Sequence, residues 1–132
     1  MANISIAIYC MMAASLLPFV WMWVAKIAGG FRASDNANPR AFLANTTGLA
    51  ARANAAQANS FETLPIFLAA VLMAEYMVVP PAVVNKLAIA YVVLRVLYGL
   101  AYLGNWSSLR SVLWTISFAC PILLFVLAAR VG

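Results

Sequence analysis

The sequence predicts an all-α membrane protein, a bundle of four transmembrane helices, on two observations. The 132-residue chain is 67% hydrophobic and 8% charged, with a mean hydropathy of +0.98, far above that of an average soluble domain. Its apolar residues also fall into four continuous runs, residues 4–28, 48–79, 82–103 and 107–130, each about as long as the roughly 20 residues a helix needs to cross a bilayer. Continuous rather than alternating runs select helices over a transmembrane barrel. Too little chain remains for a soluble domain, so residues 1–132 read as a single integral membrane domain.

The elements follow in order. The first run has no basic residue before it and Lys26 near its end, the reverse of a cleaved signal peptide, so it is expected to be retained. Gly29-Gly30 ends it, and residues 31–47 read as a polar loop. The second run is longer than a span requires, and its first turns are expected to project from the membrane. Pro80-Pro81 and Gly104-Asn105 mark the two remaining turns. Glu75 and Lys86 each lie five residues from the Pro80-Pro81 turn, on opposite arms, and are expected to pair near the membrane surface, where Lys can snorkel.

A net charge of +5 does not indicate nucleic-acid binding here, because the basic residues lie at helix ends and form no patch. Lys26, Arg32, Arg40 and Arg52 cluster around the first loop and Arg110 flanks the third. The positive-inside rule places both loops in the cytoplasm and both termini outside. Trp21, Trp23 and Trp106 are expected at the cytoplasmic interface as an aromatic belt. There is no histidine, and Cys10 and Cys120 lack metal-ligand spacing. Metal, haem and His-based catalysis are therefore not expected, and the two cysteines read as small packing residues. No phosphate-cradling glycine loop is present.

Chemistry concentrates in residues 52–67, RANAAQANSFETLPIF. At about 100° per residue, Arg52, Ala55, Asn59 and Glu62 share one helix face and Gln57 points the opposite way. Alanines around them permit close helix approach, and Pro65 frees the carbonyl of Phe61. On the third run Arg95, Tyr98 and Tyr102 form a second stripe. Glu62 lies ten residues in from Arg52 and Arg95 eight in from Leu103, about 15 Å and 12 Å at 1.5 Å per residue. Similar depth predicts a Glu62–Arg95 ion pair, since an unpaired charge in a bilayer is costly. Such a pair serves equally to fix helix register or to line a ligand site. Its company of Asn59, Tyr98, Tyr102, Arg52 and Arg110 suits a small ligand bearing carboxylates.

These residues resemble the membrane-associated proteins of eicosanoid and glutathione metabolism, the MAPEG family. The resemblance rests on R-x4-Q-x-N-x2-E-x2-P-x-F, here Arg52, Gln57, Asn59, Glu62, Pro65 and Phe67, and on Arg95, Tyr98, the AYLG of residues 101–104, Arg110 and Ser111. It implies a homotrimer in a bacterial-type inner membrane, with glutathione bound between subunits towards the cytoplasm. Lipophilic electrophiles, hydroperoxides or lipids would arrive from the bilayer. Asn59, Glu62, Arg95, Tyr98 and Tyr102, with Arg52, would line the glutathione site, and Gln57 would serve the neighbouring subunit's site. Arg110 would stabilise the thiolate nucleophile, with Ser111 adjacent. Family enzymes commonly carry arginine at the position of Ala55, and some at Ala58; an aromatic or apolar residue usually stands where this chain has Thr63. Arg32 or Arg40 would compensate for the missing guanidinium.

The resemblance implies a glutathione-dependent transferase or peroxidase, with a non-catalytic lipid-binding member of the same family as the alternative. A small four-helix multidrug exporter would rely on an acidic residue in its first helix, and this first helix has none.

Overall fold

Each long helix ends where the sequence offers a turn residue, and the computed structural model, which describes residues 4–131, shows how. The order is α1 (Ile4–Gly29), a 3-10 turn (Ala33–Ala37), α2 (Pro39–Ala44), α3 (Gly48–Tyr76), α4 (Pro81–Leu103) and α5 (Ser107–Val131). At the end of α1, Gly30 takes φ 74° and Phe31 N–H donates to Lys26 O at 2.9 Å. This is the Schellman closure, which satisfies a carbonyl of the last turn. Asn105 does the same after α4 with φ 59°, while Trp106 N–H donates to Ala101 O. At the end of α3 the left-handed position falls on Val78 (φ 60°), and Val79 N–H donates to Ala74 O. A β-branched residue is strained there.

The stretch expected to be a polar loop is ordered instead. Asn38 Oδ1 accepts from Ala41 N–H at 3.2 Å and Pro39 occupies the first turn of α2, the residue pair that starts a helix most readily. Asp35 Oδ2 accepts from Arg32 N–H at 2.8 Å, closing the 3-10 turn. The sequence ANPR at residues 37–40 is thus a helix start.

Among the described residues, α1, α4 and α5 are long and apolar enough to cross a membrane, α5 being the most apolar. Helix α3 has 29 residues, but alanines, amides and Arg52 dilute the hydropathy of its first half. It packs along α1 and touches both α4 and α5; α4 packs mainly on α5, and α1 and α5 do not meet. Helices α3 and α4 are therefore the central pair. Towards the α3–α4 turn the core is apolar, with Phe67, Val71, Val84 and Leu124 fully enclosed. Phe67 stacks on Tyr91 at 4.0 Å between ring centroids. Cys10 and Cys120 are both buried in this cluster as free thiols.

Two expectations are corrected at this level. Trp21 is not part of an exposed aromatic belt: it is only 3% exposed, seated against Gly99 of α4, where any Cβ would overlap its ring. Trp23 and Trp106 are exposed, 59% and 61%. Helix α1 is apolar on nearly every side, so periodicity gave no sign of which tryptophan turns inward; the gap at Gly99 decides it. Nor do Glu75 and Lys86 pair within the chain. Val84, Asn85 and Ala88 form the buried face of α4, which leaves Lys86 exposed, while Glu75 Oε1 is buried with no hydrogen-bond partner. Equal distance from the turn matched their depth but not their direction around the helices.

Two substitutions test this account in thermal unfolding of the solubilised protein. Gly99→Ala is expected to destabilise by about 1–3 kcal/mol or more, because Trp21 has to leave its seat. Val78→Gly is expected to stabilise by about 1 kcal/mol, since glycine takes the left-handed conformation without steric cost.

Candidate functional site

Three side-chain contacts fix how α3 and α4 lie against each other. Arg52 Nε donates to Leu103 O at 3.1 Å, closing the exposed end of α4. One level deeper, Arg95 Nη2 donates to Asn59 Oδ1 at 2.6 Å. Deeper still, the hydroxyls of Thr63 and Tyr91 are 3.0 Å apart. The steps between contacts are seven and four residues along α3 and eight and four back along α4, so all three obey one antiparallel register.

That register corrects the predicted Glu62–Arg95 pair. Ten residues in from the Arg52–Leu103 contact, Glu62 is level with Val93, one half-turn past Arg95. Glu62 also lies about 60° round the helix from Asn59, and its side chain is exposed. Arg95 instead is 1% exposed and is the largest fully buried side chain among the described residues. Its Nη1 reaches Ser117 Oγ of α5 at 3.5 Å, Ser117 in turn donates to Trp114 O, and Arg95 Nε has no partner. The Tyr98 ring lies 4.2 Å from the guanidinium carbon. Such cation–π contact is a partial substitute for a counter-ion.

From Arg95 outward the side chains alternate. Tyr98 meets Tyr102 edge-on, 5.8 Å between centroids, and the Arg110 guanidinium lies 4.6 Å over the Tyr102 ring. Arg110 stands in the first turn of α5, where Tyr98, Arg110, Ser111, Trp114 and Thr115 line a groove of about 190 Å³. Trp114 stacks on Phe118 at 5.0 Å and extends this wall by one turn along α5. Ser111 and Thr115 donate to carbonyls of their own helix, Ser107 O and Ser111 O. Their oxygens therefore retain acceptor capacity.

The remaining predicted residues divide. Asn59, Arg95, Tyr98, Tyr102 and Arg110 form one connected set across α3, α4 and α5. Arg52 belongs to the same face but is spent on the end of α4. Gln57 lies elsewhere, in a groove of about 350 Å³ with Arg40, Asn54 and Phe61, and its Oε1 is buried without a partner. Arg32 is exposed on the loop and Arg40 faces the Gln57 groove, so neither joins the Arg110 set within one chain. Ala55 is half-buried and Ala58 exposed.

Sequence reasoning missed Tyr91, Ser117 and Trp114, and took Thr63 only as a departure. Tyr91 was within reach of the same helical arithmetic, one turn before Arg95 on the Arg95–Tyr98–Tyr102 stripe. Ser117 gave no comparable signal, because it lies in an apolar helix whose buried face only the packing reveals.

Arg52→Met is expected to weaken the bundle by about 1.5 kcal/mol, the worth of a charge-assisted hydrogen bond. Hydrogen exchange should show the loss as faster exchange confined to the last turn of α4 and the following turn.

A model of the MAPEG family matches residues 6–130 of the 132-residue chain. No curated protein and no solved structure matches it. The match reaches from Ile6 in the first turn of α1 to Arg130, the penultimate residue of α5, taking in the Asn59–Arg95 contact and the Arg110 groove, and with three apolar helices of spanning length it marks an integral membrane protein. The chain belongs to the MAPEG family.

Proposed function

We propose that the protein is a glutathione-dependent membrane transferase or peroxidase in which Arg110 holds the glutathione thiol as thiolate. The family includes glutathione transferases and peroxidases as well as non-catalytic members. The observation that favours catalysis is the placement of Arg110: a guanidinium braced over Tyr102 at the mouth of a groove walled by Tyr98, Ser111 and Trp114. A cation in a partly dry site stabilises the thiolate, which is the nucleophile. The thiolate attacks the electrophilic carbon of a lipophilic substrate; the new C–S bond forms as the leaving group departs with its electron pair. Trp114 and Phe118 provide an apolar approach from the bilayer.

Glutathione is the co-substrate in this reading. Asn59, Tyr98 and Tyr102 would supply donors for its carboxylates, and Arg110 would stand beside its sulfur. At about 190 Å³ the Arg110 groove is smaller than the roughly 300 Å³ at the low end of ligand pockets, so a second copy completes the site. Helix α3 leaves Ala58, Glu62, Pro65, Ala69, Leu72 and Tyr76 exposed in an alternating four-three spacing, the pattern of a helix that packs against other helices. This supports a homotrimer with Glu62 and Gln57 at the contacts between subunits, α3 as a fourth span, and the Arg110 end in the cytoplasm of a bacterial-type inner membrane.

A non-catalytic lipid-binding role is the second reading. It is favoured by an apolar groove of about 280 Å³ between α3 and α5, lined by Met73, Met77, Phe125, Ala128 and Ala129, and by alanine at position 55. Native mass spectrometry separates the two, since this reading expects copurified lipid and no bound thiol.

Purified protein is expected to conjugate glutathione to a chloronitrobenzene, with chloride as the leaving group. Arg110→Ala should lower the rate at neutral pH on the order of 10²-fold. The loss should shrink as pH rises past about 8.5, the ordinary thiol pKa, because bulk base then supplies the thiolate. Failure of the wild type to bind glutathione at millimolar concentration would sink the proposal.

A further inference from the structure

We infer that Arg95 is a positioning residue: from inside the bundle it fixes the side-chain amide of Asn59 so that the amide N–H groups face outward as donors to a carboxylate of the bound ligand. The identity of that ligand rests on the glutathione reading above; the orientation of the amide rests on this chain alone.

The direction of the amide follows from donor chemistry. Arginine has only donors, so its 2.6 Å bond to Asn59 has to end on the carbonyl oxygen Oδ1. Exchanging the amide's oxygen and nitrogen would set two donors against each other, so the assignment is not arbitrary. With Oδ1 held from within, Nδ2 lies at the other end of the side chain. Asn59 is half-buried, and its Nδ2 neither bonds to any described residue nor is among the buried unpaired atoms. It therefore opens outward on the face of α3 that carries Arg52 and Ala55.

Arg95 does not reach a ligand itself. It is 1% exposed, with Tyr98 against its guanidinium, Asn59 on Nη2 and Ser117 on Nη1. No carboxylate of the described residues pairs with it; Glu62 is exposed on the next turn and Glu75 is four turns deeper on α3. An uncompensated cation behind an amide polarises it and strengthens the outward N–H donors towards anions. A buried guanidinium thus acts on the ligand through one intervening side chain.

The test is Asn59→Asp in the full chain, purified in detergent, read by thermal unfolding and by calorimetric titration with glutathione. Aspartate gives Arg95 a true counter-ion and removes the outward donor. The variant is expected to melt at least about 4 °C higher than wild type and to bind glutathione at least about tenfold more weakly. A residue with a merely structural role would move both readouts in the same direction. A melting temperature at or below wild type, including failure to accumulate as folded protein, overturns the inference. Unchanged glutathione affinity in a variant that melts higher overturns it as well. A wild type that binds no glutathione, beside a variant that melts higher, removes the glutathione reading and leaves the Arg95–Asn59 lock in place.

Discussion

The hydrogen bond from Arg95 to Asn59 ties α4 to α3 in the middle of the bundle, and the rest of the site is arranged around it. A guanidinium in a bilayer protein is tolerated only where its donors are met. Here an amide and a serine hydroxyl meet Nη2 and Nη1 and an aromatic face covers the guanidinium, in place of a carboxylate, while Nε is left without a partner. Replacing a carboxylate by neutral groups leaves the local charge positive. That charge stands directly behind the Asn59 amide.

The bundle is graded along its length. Towards the α3–α4 turn, Phe67, Val71, Val84 and Leu124 pack with alanines and two cysteines, and Thr63 and Tyr91 form a polar pair at its edge. Towards the other end the apolar clusters shrink to small groups around Ala53 and Ala101. The space between them is taken by Arg52, Asn59, Tyr98, Tyr102 and Arg110. A dense apolar half gives α3 and α4 a rigid base. The polar half carries the candidate site with its open grooves, and rigidity below is what keeps its groups within reach of one another.

Polar side chains and turn residues made much of this legible in advance. Helix ends at Gly29-Gly30, Pro80-Pro81 and Gly104-Asn105 follow from backbone preferences that act within a few residues. The stripe of Arg95, Tyr98 and Tyr102 and the face holding Asn59 and Glu62 follow from the helical period. Placing Gln57 on a different face from Asn59 follows from the same period, and the two do line different surfaces. The Glu62–Arg95 pair went wrong by only two to three residues of register and a sixth of a turn, which is enough to exchange a carboxylate partner for an amide.

The sequence by itself determined that the chain is helical and apolar enough to enter a membrane, where its helices end, and which polar residues share a face. These are local properties, set by composition, helical period and turn chemistry. Only the tertiary structure decided that Trp21 rather than Trp23 turns inward, that Arg52 is spent on Leu103, and that Arg95 binds Asn59 and Ser117. A helix that is apolar on every side has no amphipathic signal to say which face packs. The register between two such helices is set by side chains far apart in sequence, through the shape of a cleft at Gly99 and the reach of one guanidinium.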